Sequence, residues 1–378
     1  MAGGLGRSRG RRDLEFCRLV VHYMAQMIAQ SRFAALGWTQ AVIVICALLM
    51  AIGISFIPPQ SYGTSSPKPV AIPQIADADL LLYRSINAKV TVGERYYPVA
   101  AKELRLGNYP LKPFVTFRLP TLAYVMAAIG PIAAIGLLWV LMAATLLAWW
   151  RRLDGAFDDP GRRITGVMLV AAGAAIALQP KYAVMHELSA QLLMALALAL
   201  RQPKRWWWAV IAATAALMIR ELTLPFVLLM AAFAMFEKRW KELATWAVLV
   251  AAFGFVMSLH AAEVAAVVRE SDPASPGWLS IGGWQAFLRS MRMTSAIRVL
   301  PEWIGNIGVI LAIFGWISWR SATGLFGALL LVGYGIIFMI LGRADNFYWG
   351  LLVAPLLLLG LAFLPCAFAD LRSDKRPA

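Results

Sequence analysis

The chain has 378 residues, 61% of them hydrophobic and only 15% charged, with a formal net charge of +15 at neutral pH. Long apolar runs alternate with short polar breaks, a pattern that argues for bilayer spans rather than a water-facing globule. The excess positive charge sits in short clusters between those runs and not along one face, which argues against nucleic acid as a partner.

In chain order, Arg7, Arg9, Arg11 and Arg12 precede a segment, 14–33, interrupted by Arg18, His22, Gln26, Gln30 and Arg32. That is unlike the apolar core of a cleaved signal, and it predicts an amphipathic helix on the cytoplasmic interface within an N-terminal segment 1–37. A first span is predicted over 38–57. It is followed by a long outer segment, 58–120, that opens with a Pro/Ser/Thr-rich linker over 58–73. Beyond the linker, Leu81, Leu82, Ile86 and Val90, then Tyr96, Val99, Ala100 and Leu104, recur at helical spacing. Two short amphipathic helices against the outer leaflet are expected there.

Further apolar runs over 121–149, 164–180, 182–200, 206–219, 222–236, 243–262, 301–319, 322–341 and 347–368 bring the expectation to about ten spans. They form an all-α polytopic transmembrane bundle over 38–368, with a basic tail over 369–378. A second outer segment, 263–300, carries a turn-rich stretch from Ser271 to Gly277 and should end in another surface helix. With ten spans the basic clusters share one side, which the positive-inside rule makes cytoplasmic, together with both termini. Trp149 and Trp150, like Trp206, Trp207 and Trp208, stand beside arginines and read as interface belts. Cys17, Cys46 and Cys366 lie in or near apolar segments and predict no disulfide.

The runs over 206–219 and 222–236 are shorter than the roughly 20 residues a helix needs to cross. The turn between them, with Arg220 and Glu221, should therefore be sunk into a polar depression, as should the turn carrying Lys181. His186 and Glu187 fall about one turn inside a span, where charge is expensive unless it meets a cavity or a partner. Asp79 shares a helix face with Tyr83, four residues on, and suits a general base. Asp77 and Asp79 would equally serve as acidic residues complementing a helix N-terminus. Arg220 and Arg343 end apolar runs, where a guanidinium can hold a phosphate, snorkel to the interface, or pair with Glu221 and Asp345. Three histidines in the whole chain and no two-His helical spacing predict no metal site. With no glycine-rich phosphate loop or nucleotide fold interrupting the spans, a cytosolic nucleotide is not expected as a direct donor.

The layout, with Asp79-Leu80-Leu81-Leu82-Tyr83, Gly93-Glu94-Arg95-Tyr96-Tyr97, the stretch from Tyr182 to Gln191, Met218 to Pro225, and Gly342 to Trp349, resembles the GT-C class of integral-membrane glycosyltransferases. The likeness is to the branch that uses polyprenyl-phosphate sugars, including bacterial mannosyl- and arabinosyltransferases. The resemblance implies an inverting transfer from a polyprenyl-phosphate-linked sugar donor to a lipid or glycan acceptor, at the outer face of a bacterial inner membrane. It implies Asp79, or its rival Asp77, as the base, and Arg220 and Arg343 with Lys181 or His186 at the donor phosphate. Tyr83, Glu94, Tyr97, Glu187, Glu221 and Asp345 would contact substrate, with no metal or other cofactor required. The competing readings are a secondary transporter, disfavoured because no internal repeat is visible, and a noncatalytic membrane protein of envelope biosynthesis.

Overall fold

The computed structural model describes residues 31–57 and 72–372. The expected interfacial helix over 14–33 falls almost wholly outside them, as do most of the linker over 58–73 and Cys17. Among the described residues the secondary structure is helical apart from isolated bridges: Ser31 with Trp319, Lys112 with Ala274, and Leu279 with Leu341.

The helices are α1 (Trp38–Ile54), α2 (Ile72–Thr91), α3 (Tyr96–Leu106), α4 (Thr121–Ile129), α5 (Pro131–Leu153), α6 (Pro160–Gly173), α7 (His186–Leu200), α8 (Trp207–Ile219), α9 (Leu224–Phe236), α10 (Trp240–Val267), α11 (Gly283–Met293), α12 (Glu302–Ser318) and α13 (Ala322–Ile340). A C-terminal run of α and 3-10 turns, Asp345–Leu371, completes the fold as α14. The apolar run over 121–149 is not one helix. Gly130 takes φ +79°, a conformation closed to most side chains, and Pro131 opens α5 at its first turn.

The largest core lies where α7, α8 and α9 meet α12, α13 and α14. It includes Leu198, Ala213, Met230, Trp316, Leu331 and Leu357. Trp149 is fully buried within it and donates from its indole to the Ala195 carbonyl at 3.1 Å, so it belongs to the core and not to an interface belt. A second core joins α2 and α3 through Leu82, Ile86, Val90, Tyr96, Val99 and Leu104, and Val264 of α10 packs there too. Leu80 docks α2 against Leu122, Met126 and Val184, whereas Leu81 is left 65% exposed. These two helices therefore lie on the bundle, not on an outer leaflet. Nor is α11 a surface helix, because Phe287, Leu288 and Met291 are buried against α13 and α14.

The two long polar segments meet at one end of the bundle. Arg105 holds Asp272 through two hydrogen bonds of 2.8 and 2.7 Å, and the Leu111 amide donates to the Pro273 carbonyl at 2.9 Å. The Gly342 amide donates to the Trp278 carbonyl at 2.7 Å, which ties the second segment to the start of α14.

Helix length overturns the expectation of about ten spans. At 1.5 Å per residue, crossing a core of about 30 Å takes about 20 apolar residues. Among the described residues four helices are long and apolar enough: α5, α10, α13 and α14. The apolar helices α1, α7, α8 and α12 have 10–17 residues, as do Phe114–Ile129 and Glu221–Phe236. A ten-span GT-C-like transmembrane bundle is therefore not what the chain builds. The sorting of basic clusters to one side, the cytoplasmic termini, the outward-facing site, and the placement of the whole bundle in an inner-membrane bilayer all rested on that count and fall with it.

Candidate functional site

Charged and polar side chains converge where α2, the stretch before α4, the N-terminus of α7, the C-terminus of α8 and the start of α14 come together. Phe117 and Leu119 are both buried in an extended stretch, so Arg118 between them points the other way. Its Nη2 lies 3.7 Å from Glu187 Oε1 and its Nη1 3.7 Å from Glu221 Oε1. Nη2 also donates to the Tyr348 hydroxyl at 3.4 Å, while Nε has no partner. The Arg118 carbonyl accepts from Tyr96 Oη at 2.8 Å, which fixes the backbone beneath the guanidinium.

Arg220 caps α8 with an extended backbone and is 1% exposed. Its guanidinium contacts Glu221 directly, and its Nε lies 2.7 Å from Glu187 Oε1 without the alignment of a hydrogen bond. A cation at the C-terminus of α8 and a carboxylate at the N-terminus of α7 both match the helix dipoles. Burial works to raise Glu187 and Glu221, but Arg220 and then Arg118 outweigh it, holding both carboxyls below their ordinary range. Tyr334 Oη donates to the Leu222 carbonyl at 2.6 Å and fixes the turn that carries Glu221.

On the facing helix, Asp79 is half-buried and accepts from Tyr109 Oη at 2.7 Å. Burial raises its carboxyl above the usual carboxylate range, against the opposing pull of Tyr109 and Arg118. Tyr83, one turn on, meets the His186 ring edge-on at 5.1 Å. Burial pushes His186 down to about 3, which leaves the imidazole neutral, and neither ring nitrogen has a hydrogen-bond partner. Arg84 Nη2 donates to the Lys181 carbonyl at 2.9 Å and holds α2 against the turn before α7.

The structure thus brings together Asp79, Tyr83, His186, Glu187, Arg220 and Glu221 of the residues that the sequence singles out. The others stand apart. Asp77 and Glu94 are exposed, and Lys181 is exposed over the Tyr182 ring at 4.6 Å. Tyr97 pairs with His260 Nδ1 at 3.0 Å on the far side of α3. Arg343 pairs with Asp345 at 3.3 Å and with Ser275 Oγ at 3.3 Å, at the margin of the cluster. Sequence reasoning gave no role to Arg118, Tyr109 or Tyr348. The available signal was Arg118 itself, a lone cation between Phe117 and Leu119 just before an apolar run.

No family model matches the chain, and neither does any curated protein or solved structure. The resemblance to GT-C glycosyltransferases is therefore corrected. The short motifs that carried it have no relative behind them, and the architecture they implied is absent. The expected reaction goes with it. Of the cations assigned to a polyprenyl phosphate, Arg220 is engaged by Glu187 and Glu221, Arg343 by Asp345, Lys181 faces outward and His186 is uncharged. A sugar donor, a lipid or glycan acceptor and a transferase activity have no support in this arrangement, nor do the transporter and scaffold alternatives. Among the described residues no group of three or more His, Cys, Asp or Glu is placed to hold a metal.

Proposed function

We propose that the protein is a binding protein that takes a small oxyanion-bearing molecule at Arg118. The observation that carries this reading is the loose hold on that guanidinium. It offers five N–H donors in a largely buried position, yet the side-chain hydrogen bond and ion pairs it makes among the described residues are long, at 3.4 and 3.7 Å. Arg220 meets the same two carboxylates more closely, and the two arginines together balance them in charge, so what Arg118 has to spare is N–H donors, Nε among them, and not net charge. An oxyanion at 2.7–2.9 Å would give Arg118 the charge-assisted hydrogen bonds it lacks. Asp79, with its carboxyl raised by burial, repels such an anion less than an ordinary aspartate and can instead meet a neighbouring hydroxyl. His186 adds two unpartnered ring nitrogens at the same place.

The test is thermal stability of the purified chain titrated with inorganic phosphate, a short carboxylate and a neutral polyol. A ligand at about 100 times its Kd adds about 2.7 kcal/mol to stability. One of the two oxyanions should raise the melting temperature of the wild type and of Arg343→Lys, and should do so far less in Arg118→Lys, which keeps the charge but loses the fork. Equal shifts in all three proteins, or none, would discard the assignment.

A further inference from the structure

We propose that a second site, at the opposite end of α7 and α8, binds a single-chain amphiphile with a carboxylate head. The cluster around Arg118 occupies the N-terminus of α7 and the C-terminus of α8. At 1.5 Å per residue, the far ends of both helices lie about 20 Å away. There they form a half-open groove with the C-terminal half of α5, of about 500 Å³. That volume falls inside the roughly 300–1,000 Å³ typical of small-molecule sites and suits one apolar chain, not two. Leu147, Leu196, Leu200 and Trp208 form the walls. The exposed ring of Trp207 stacks on that of Trp208 at 3.7 Å.

Arg151, Arg152 and Arg205 also line the groove, and no carboxylate does. The neighbouring arginines differ in this respect. Arg201 lies 2.7 Å from Glu242 and 2.9 Å from Glu237, and Arg239 lies 2.9 Å from Glu237 and 3.1 Å from Glu242. Those four groups balance one another. Arg152 donates only to the Thr323 hydroxyl, and none of the three groove arginines is ion-paired among the described residues. Unpaired cations beside an apolar wall call for an anion whose body is apolar. A planar carboxylate matches the guanidinium fork, and the chain behind it would lie along the leucines.

The experiment is photo-crosslinking of the full chain in neutral maltoside micelles with a diazirine analogue of dodecanoic acid, followed by peptide mapping. Label should appear in residues 144–152 and 196–208, be displaced by dodecanoate, and persist in the presence of dodecyltrimethylammonium. The double variant Arg151→Gln, Arg205→Gln changes two exposed side chains and should cut labelling about tenfold or more. Arg118→Lys should leave it unchanged, which separates this site from the oxyanion site. Labelling spread elsewhere, labelling undiminished in the double variant, or dodecyl phosphate displacing the probe far better than dodecanoate would each overturn the proposal.

Discussion

Asp79 and Glu187 are both partly or wholly withdrawn from water, and burial raises both carboxyls, yet their net shifts are opposite because close cations outweigh burial only at Glu187. Asp79 is raised by burial, so the folded state holds its proton to higher pH than the unfolded chain does. Its contribution to stability is full below the ordinary aspartate range and is lost as pH rises through the raised folded value. Asp79→Asn keeps an acceptor for Tyr109 and removes the charge. It should melt higher than wild type at neutral pH and equal to it near pH 3, as melting curves across that range would read. Glu187→Gln leaves Arg118 and Arg220 sharing the single carboxylate of Glu221, a buried positive charge without compensation, and should cost about 3–5 kcal/mol by denaturant titration. The second effect was only partly legible in the sequence: Glu187, Arg220 and Glu221 are charges in or beside apolar runs and must meet a cavity or a partner, but nothing in their spacing says that Glu187 is the partner of Arg220. Arg118 was not legible. Nothing local to Phe117-Arg118-Leu119 says that Glu187 and Glu221, distant in sequence, would face it.

At the scale of elements, α14 is gripped through small residues. A side chain added at Gly315 would meet the Gly360 carbonyl at 1.8 Å, and one at Gly360 would meet the Ala312 carbonyl at 1.8 Å. Gly173 approaches the Ala354 carbonyl in the same way. Backbone cannot yield as a flexible side chain does, so Gly360→Ala should destabilise by about 1–3 kcal/mol or more. Gly254, in α10, has nothing within 4 Å, and Gly254→Ala should stabilise by about 0.5–1 kcal/mol through helix propensity alone. Paired denaturation curves give both signs. The apolar runs marked the helices well, because hydrophobic periodicity and polar breaks are local. Gly130 followed by Pro131 signalled a kink within its run, but neither the full break there nor the burial of α11 was legible, because those outcomes depend on the helices packed around them.

Across the whole molecule the apolar residues divide unevenly between inside and outside. In α14, 72% of the most apolar window is buried, against 22% in α10 and 28% in α5. Leu357 has no exposure, whereas Ile132 at the start of α5 is 85% exposed. Leu357→Ala should therefore cost about 2–5 kcal/mol, and Ile132→Ala should stay within about 0.5 kcal/mol, in the same unfolding assay. Composition could not foresee this division, since hydropathy registers an apolar residue without saying whether protein covers it. The ten-span expectation failed for that reason: it counted every apolar run as a crossing, although many are too short.

The contact between α7 and α8 is the most extensive in the fold, and Ala190, Ala195, Ala197, Ala209, Ala213 and Ala216 are all fully or almost fully buried in the same core. Side chains this small leave the two rods no room to slide, so the pair behaves as a splint with one cluster of arginines at each tip. A wedge driven into its middle has nowhere to be absorbed. Ala213→Leu, which touches neither tip, should disturb oxyanion stabilisation at one end and amphiphile labelling at the other in a single step.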